Sequence, residues 1–337
     1  MKILYLHNND QDYLSESVFH GLRTILGNNC VDFPRYEIMY NDYGETLRKR
    51  LRGNGFSLYG LLEDNESLKA ERFRCIDFIE KFDIIVISNI WSQYSLLSYI
   101  LKKIPKNKIV ILDGADQSSV YPYANFYQKI KKDIFAYLFS SNYYTYFKRE
   151  IEDNSYYNLL GHLINPIGLR YKVERHFLPI SFSIPKEKIT YVKAEDKLKT
   201  FQTHIVDEEI ALKIKESQFS AIGSDKLFFT TEETYFKDLQ ESKFGITTKR
   251  AGWDCLRHYE LAANGAVICF KHLNKKPTLC APNINESDCI AYDNYEHLIS
   301  KIKSITDLEY NNYLKLNYRW VEANTTMAKA EYLLNNL

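Results

Sequence analysis

Phe244-Gly245-Ile246-Thr247-Thr248-Lys249-Arg250-Ala251-Gly252-Trp253-Asp254-Cys255-Leu256-Arg257-His258-Tyr259-Glu260-Leu261-Ala262-Ala263-Asn264-Gly265-Ala266-Val267 reads as strand, loop, helix, tight turn and strand. The apolar run 244–247 predicts a strand, and the spacing over 255–263 predicts a helix. Asn264-Gly265 is a C-terminal stop signal, and the buried run 266–270 follows it. The intervening loop sits at the carboxyl end of a strand and the amino end of a helix, where open parallel sheets bind ligands. Free N–H groups and the helix dipole favour a phosphate there. Lys249 and Arg250 add positive charge, and Thr247 and Thr248 add hydroxyls. Arg257 and Glu260 are three apart and share a helix face. A glutamate so placed can accept hydrogen bonds from two neighbouring hydroxyls, as a ribose offers. Spacing alone also suits a plain β-α-β unit with a solvated Lys-Arg pair and a surface Arg257–Glu260 ion pair.

The same alternation extends in both directions. Residues 3–6, 83–88 and 108–112 are short apolar runs suited to strands buried on both faces. Helical spacing over 15–26 and 94–103 supplies crossovers, so 83–112 reads as one β-α-β unit. In the second half, 199–205 predicts a strand and 207–216 and 231–240 predict helices. The Tyr-, Phe- and Lys-rich stretch 121–157 reads as mixed helix and loop. Asn165-Pro166-Ile167-Gly168 is the clearest punctuation between the halves. The expected fold class is α/β, with two Rossmann-like domains facing a cleft: residues 1–165, residues 166–312, and a final helical segment 313–337.

Composition narrows the functions. The 337 residues carry 44 Lys+Arg against 43 Asp+Glu, a formal net charge of +1, which argues against bulk-charge binding of nucleic acid. At 15% aromatic residues the chain needs a packed core. Six cysteines without CxxC spacing read as free thiols, with neither zinc nor disulfide roles. The opening residues lack the pattern of a signal peptide, and no 18-residue apolar run occurs. The expected location is cytoplasmic. Lysine clusters near 102–108, 129–132 and 186–199 read as solvated faces, or as a peripheral contact with an anionic membrane face.

The segment 244–270 resembles the donor-nucleotide segment of GT-B glycosyltransferases, particularly the bacterial CgeB-like and exostosin-like groups. The residues that carry the likeness are Arg257, Glu260, Ala263, Gly265 and the run 266–270. The resemblance implies a donor site at Thr247, Thr248, Lys249, Arg250, Arg257 and Glu260. Glu260 would hold the ribose, and Arg257, with Lys249 or Arg250, would face the diphosphate. It implies a UDP-sugar or GDP-sugar as co-substrate, no cofactor and no catalytic metal. The acceptor would be a glycan or lipid-linked glycan in bacterial surface polysaccharide synthesis. It also implies that the tail packs back towards the first domain. One departure stands out: the retaining family-4 pattern has a second glutamate eight positions before Glu260, and here that position is Gly252.

Further candidates lie elsewhere. Asp113-Gly114-Ala115-Asp116 ends a buried strand, and Asp113, directly after it, is the first choice for a catalytic base beside Arg257; an N-cap or Asp-Gly turn is the alternative. Arg52-Gly53-Asn54-Gly55, after Arg48-Lys49-Arg50, either brings N–H groups to a phosphate or forms a turn after a charged helix end. His258 reads as structural. Two other functions fit the same cleft: transfer of a phosphate-bearing group from a nucleotide donor, or non-catalytic binding of a small anion or sugar.

Overall fold

The computed structural model describes residues 1–75, 77–121, 144–217, 221–224 and 227–337. Most of the stretch read as mixed helix and loop, 122–143, with its lysines at 129–132, lies outside the described residues. In chain order the strands are β1 (Ile3–Leu6), β2 (Cys30–Phe33), β3 (Ile84–Ile87), β4 (Ile109–Asp113), β5 (Thr145–Lys148) and β6 (Leu178–Pro179). They continue as β7 (Lys199–Phe201), β8 (His204–Ile205), β9 (Ile222–Gly223), β10 (Ser242–Thr248), β11 (Val267–Lys271) and β12 (Ile290–Tyr292). The first six form one sheet in the order β2-β1-β3-β4-β5-β6, and a second sheet runs β12-β11-β10-β7. Every pairing in both sheets is parallel. Ile3 of β1 faces Cys30 on one side and Ile84 on the other. The chain steps outward from β1 to β2 and returns to β3, so its direction of winding switches beside β1. That leaves a crevice at the carboxyl ends of the strands.

Local sequence explains most element ends. Asp12 caps the helix Tyr13–Leu26 by accepting from the Leu14 and Ser15 N–H groups, which starts it two residues before the apolar pattern does. Thr306 and Glu309 form a reciprocal capping box that separates the helix Asp307–Glu322 from Tyr295–Ser304. The expected strand over 199–205 divides in two. Between its halves the Gln202 side chain bonds both the N–H and the carbonyl of Ile246, each at 2.8 Å, and replaces the backbone ladder. Strand β5 falls where mixed helix and loop was expected, because clustered tyrosines hide the two-residue period.

The first lobe runs past residue 165, since β6 adds to the first sheet. Asn165–Ile167 is a 3-10 turn closed by Gly168 at φ +84, on the first-lobe side of β6. The return of the tail also comes later than 313. The helix Asp307–Glu322 stays with the second sheet: Asn317 Oδ1 accepts from the Ile268 N–H at 2.9 Å, and Trp320 stacks on Tyr259 at 4.9 Å. The chain crosses back at 323–325, and the helix Thr326–Leu334 packs on Tyr13–Leu26. Gly21 makes that contact feasible, because a Cβ there would lie 2.0 Å from the Thr326 carbonyl oxygen. Among the described residues no helix is long and apolar enough to cross a membrane. All six cysteines are free.

A candidate donor and acceptor cleft

The two lobes face each other across a cleft of about 800 Å³. Gln11 and Tyr13 reach it from the carboxyl end of β1, loop 49–54 after β2, and Asp116 after β4. The opposite wall is loop 250–255 after β10 and the first turn of the helix Leu256–Ala263. Both sheets therefore present their carboxyl ends, as an open α/β ligand site requires.

The helix Leu256–Ala263 starts without a side-chain cap: Cys255 at its N-cap makes none. Its first turn therefore offers N–H groups and the positive end of the dipole to the cleft. Asn264 ends it and Gly265 follows at φ +70, the left-handed turn that the sequence signalled. A Cβ at Gly265 would also lie 2.4 Å from the Tyr318 hydroxyl.

Glu260 is buried and faces the cleft with both oxygens engaged. Ser57 Oγ donates to Oε1 at 2.5 Å and the Tyr235 hydroxyl donates to Oε2 at 2.8 Å. Burial raises its pKa, while the two hydroxyls and the Arg257 charge oppose that rise. Two hydroxyls on one carboxylate is the pattern a ribose diol would present. Arg257 is half-buried in the same wall, and among the described residues its guanidinium makes no hydrogen bond or ion pair. Arg250 lines the wall beside it.

The other expected site residues lie elsewhere. Thr247 is buried against His258, its Oγ1 3.0 Å from Nδ1. Since His258 Nε2 lies 3.0 Å from the Trp253 carbonyl, Nε2 carries the proton and Nδ1 accepts from Thr247. Burial lowers the His258 pKa to about 3, so this imidazole is a neutral structural group. Thr248 does not line the cleft, and Lys249 lies 4.9 Å over the Trp253 ring. Asp113 does not fit the role of base. Its carboxylate is fully buried beneath the cleft, accepting from Trp91 Nε1 at 3.0 Å, the Ala115 N–H at 3.2 Å and the Tyr146 hydroxyl at 2.7 Å, with Lys148 Nζ at 3.3 Å. The side chain of the last strand residue turns into the core, and Asp116, three residues on, is the carboxylate that reaches the cleft.

Arg149 and Glu150, which no sequence signal marked, join the lobes. The buried Arg149 donates to the Gly114 carbonyl at 3.1 Å, to Glu150 at 2.7 Å, to the Asp254 carbonyl at 2.9 Å and to Asp116. Glu150 accepts from the Trp253 and Asp254 N–H groups, both at 3.2 Å. This explains Gly252: a Cβ there would lie 2.4 Å from Glu150 Oε1. The first lobe fills the space that a side chain at 252 would enter. Asp254 accepts from the Phe182 N–H at 2.7 Å and the Tyr259 hydroxyl at 2.8 Å, and burial pushes its carboxyl up to about 6.

Loop 52–57 crosses towards the second lobe. Gly53, Asn54, Gly55 and Ser57 all have positive φ, between 55° and 70°, a region costly for Asn and Ser. Second-lobe contacts hold it there: Asn54 Nδ2 donates to the Phe229 carbonyl at 2.7 Å, and the Ser57 N–H donates to Glu232 at 2.5 Å. Its glycines were visible in the sequence; its docking partners, more than 170 residues away, were not.

No family model matches the chain, and no curated protein matches it by sequence. Solved structures do. Trehalose-6-phosphate synthase (OtsA) aligns with a TM-score of 0.56 at 10% identity, covering 100% of this chain and 98% of that one. A glycosyltransferase from Rickettsia africae aligns at 0.54 and 12%, covering 99% and 97%. Anabaena HepE in complex with UDP aligns at 0.52 and 11%, covering 99% of each. The two-lobed fold is that of GT-B glycosyltransferases.

Proposed function

We propose that the cleft is the active site of a glycosyltransferase that moves a sugar from a nucleoside-diphosphate sugar to a hydroxyl of a glycan or glycoconjugate. The observation that carries the reading is Glu260, a buried carboxylate at the carboxyl edge of the second sheet that already holds two hydroxyls, with Arg257 on the same helix face. The donor's ribose takes the place of those hydroxyls on Glu260. Its diphosphate lies against Arg250, Arg257 and the uncapped helix start, where fixed positive charge stabilises the leaving group as the glycosidic bond breaks. Asp116, on the opposite wall and held there by its ion pair with Arg149, is the carboxylate that meets the acceptor hydroxyl, its second oxygen being the one to take the proton. The likeness to HepE, whose solved structure holds UDP, supports a uridine donor.

A thermal-shift series with UDP, GDP, CDP, dTDP and their sugar conjugates tests this. A ligand that binds only the folded chain raises its melting temperature. At least one nucleoside diphosphate should do so, and its sugar conjugate should be consumed slowly even without acceptor. Absence of any shift across the series overturns the reading.

A further inference from the structure

The cleft carries cations on both walls, and those of the first-lobe wall stand apart from the pair assigned to the diphosphate. Arg250 and Arg257 belong to the donor wall. Lys49, Arg50 and Arg52 stand on the first-lobe wall, all three exposed to the cleft. Lys49 has a surface partner, Glu45, at 3.0 Å, a contact between exposed groups that adds little. Among the described residues the Arg50 and Arg52 guanidinium groups make no hydrogen bond or ion pair. Among the described residues none of the carboxylates that line the cleft pairs with either arginine. Asp116 is taken by Arg149, Asp254 by the Phe182 N–H and Tyr259, and Glu260 by Ser57 and Tyr235.

The wall is also held in place. The Arg52 N–H donates to Gln11 Oε1 at 3.1 Å, and the Gln11 amide donates to the Tyr59 hydroxyl at 3.0 Å. Tyr59 in turn donates to the buried Glu16 at 2.7 Å. On the other side Asn54 ties the same loop to the second lobe. Between the walls stands Tyr13, whose hydroxyl lies 3.5 Å from where a Cβ on Gly53 would sit. At about 800 Å³ the cleft is at the large end for a single small ligand, with room for two.

We infer that Arg50 and Arg52, with Lys49 beside them, form a second anion subsite for the acceptor, and that the acceptor carries a phosphate or carboxylate group. This rests on the donor assignment above. With the diphosphate on Arg250 and Arg257, the acceptor's anion on the facing wall would orient its hydroxyl across the cleft towards the sugar. Guanidinium groups suit the task because they bind phosphate or carboxylate oxygens in pairs.

The test is calorimetric titration of UDP-saturated protein with inorganic phosphate, a hexose 6-phosphate, a hexuronate and the neutral hexose. The anionic probes should bind and the neutral hexose should not. The stronger of the hexose 6-phosphate and the hexuronate identifies the anion as phosphate or carboxylate. The double variant Arg50→Glu/Arg52→Glu should weaken anion binding at least about tenfold, while UDP affinity stays within about twofold. Both residues are exposed, so an unchanged melting temperature verifies folding. The inference is overturned if UDP-saturated protein binds none of the anions, or if the double variant binds them as well as wild type does. A double variant that loses UDP affinity in parallel overturns it too, since the two arginines then belong to the donor's diphosphate. Failure of UDP to bind wild type removes the donor reading instead, and phosphate titration of the free protein then tests the subsite alone.

Discussion

Ser57 and Glu260 meet across the cleft, the hydroxyl of the first lobe donating to the carboxylate of the second at 2.5 Å. The contact places a protein hydroxyl where a ribose hydroxyl is expected, so a bound donor and Ser57 compete for one oxygen. Ser57→Ala removes the competitor and should tighten UDP binding by about threefold to tenfold, the worth of one hydrogen bond. Glu260→Ala removes the acceptor itself and should weaken UDP binding by about tenfold to a hundredfold. Calorimetry reads both, and equal effects of the same sign would sink the competition.

Among the described residues Arg257 has no ion-pair partner, and its charge beside the expected diphosphate matters most as the leaving group gains negative charge. Arg257→Ala should lower kcat by about 10²- to 10³-fold with a smaller change in KM. A steady-state comparison with varied donor decides it; a pure KM effect would make Arg257 a ground-state binding group only.

Arg149 is the buried cation that ties Glu150, Asp116 and the Asp254 backbone together. Arg149→Met leaves Glu150 buried without its charge partner, which should cost about 3–5 kcal/mol. Adding Glu150→Gln should recover part of that loss, because a neutral amide needs no counter-charge. Urea denaturation midpoints of the two variants measure the difference, and no recovery would mean that the pair matters through shape alone.

Buried histidines, His7 and His258 among them, contribute to the response to acid. Burial lowers His7 to about 4 and His258 to about 3. An unfolded chain takes up these protons near the ordinary value of 6.5, so it binds more protons than the folded protein below that pH. The stability they contribute is therefore fully present above pH 6.5 and is lost as pH falls from there towards 3. His258→Gln should flatten this limb of a melting-temperature profile between pH 6.5 and 4. An unchanged slope would show that the acid limb belongs to other groups.

The short apolar runs at 3–6, 83–88, 108–112 and 266–270 were enough to identify parallel strands, because a strand buried on both faces leaves little choice of residue. The segment 244–270 likewise declared its own helix, its stop and the shared face of Arg257 and Glu260, since those follow from spacing within one turn. Strands β2 and β5 were not legible: one is four residues of mixed character, and the other lies in a run of tyrosines without a visible period.

Which side chains face one another follows instead from packing between segments far apart in the chain. The sequence offered Asp113 as a base, but packing buried it under Trp91 and Tyr146 and left Asp116 in the cleft. Lys249, Thr247 and Thr248 adjoin Arg250 in the chain yet not in the site, because neighbours along a strand and loop point in different directions. Gly252 looked like a missing glutamate; in the fold it is the gap that Glu150 fills from the other lobe. The two-sheet α/β plan and one wall of the cleft are products of local period and capping, and so are legible along the chain. The opposite wall, with Arg50 and Arg52, is placed by contacts of its loop that span as many as 203 residues, which no local pattern encodes.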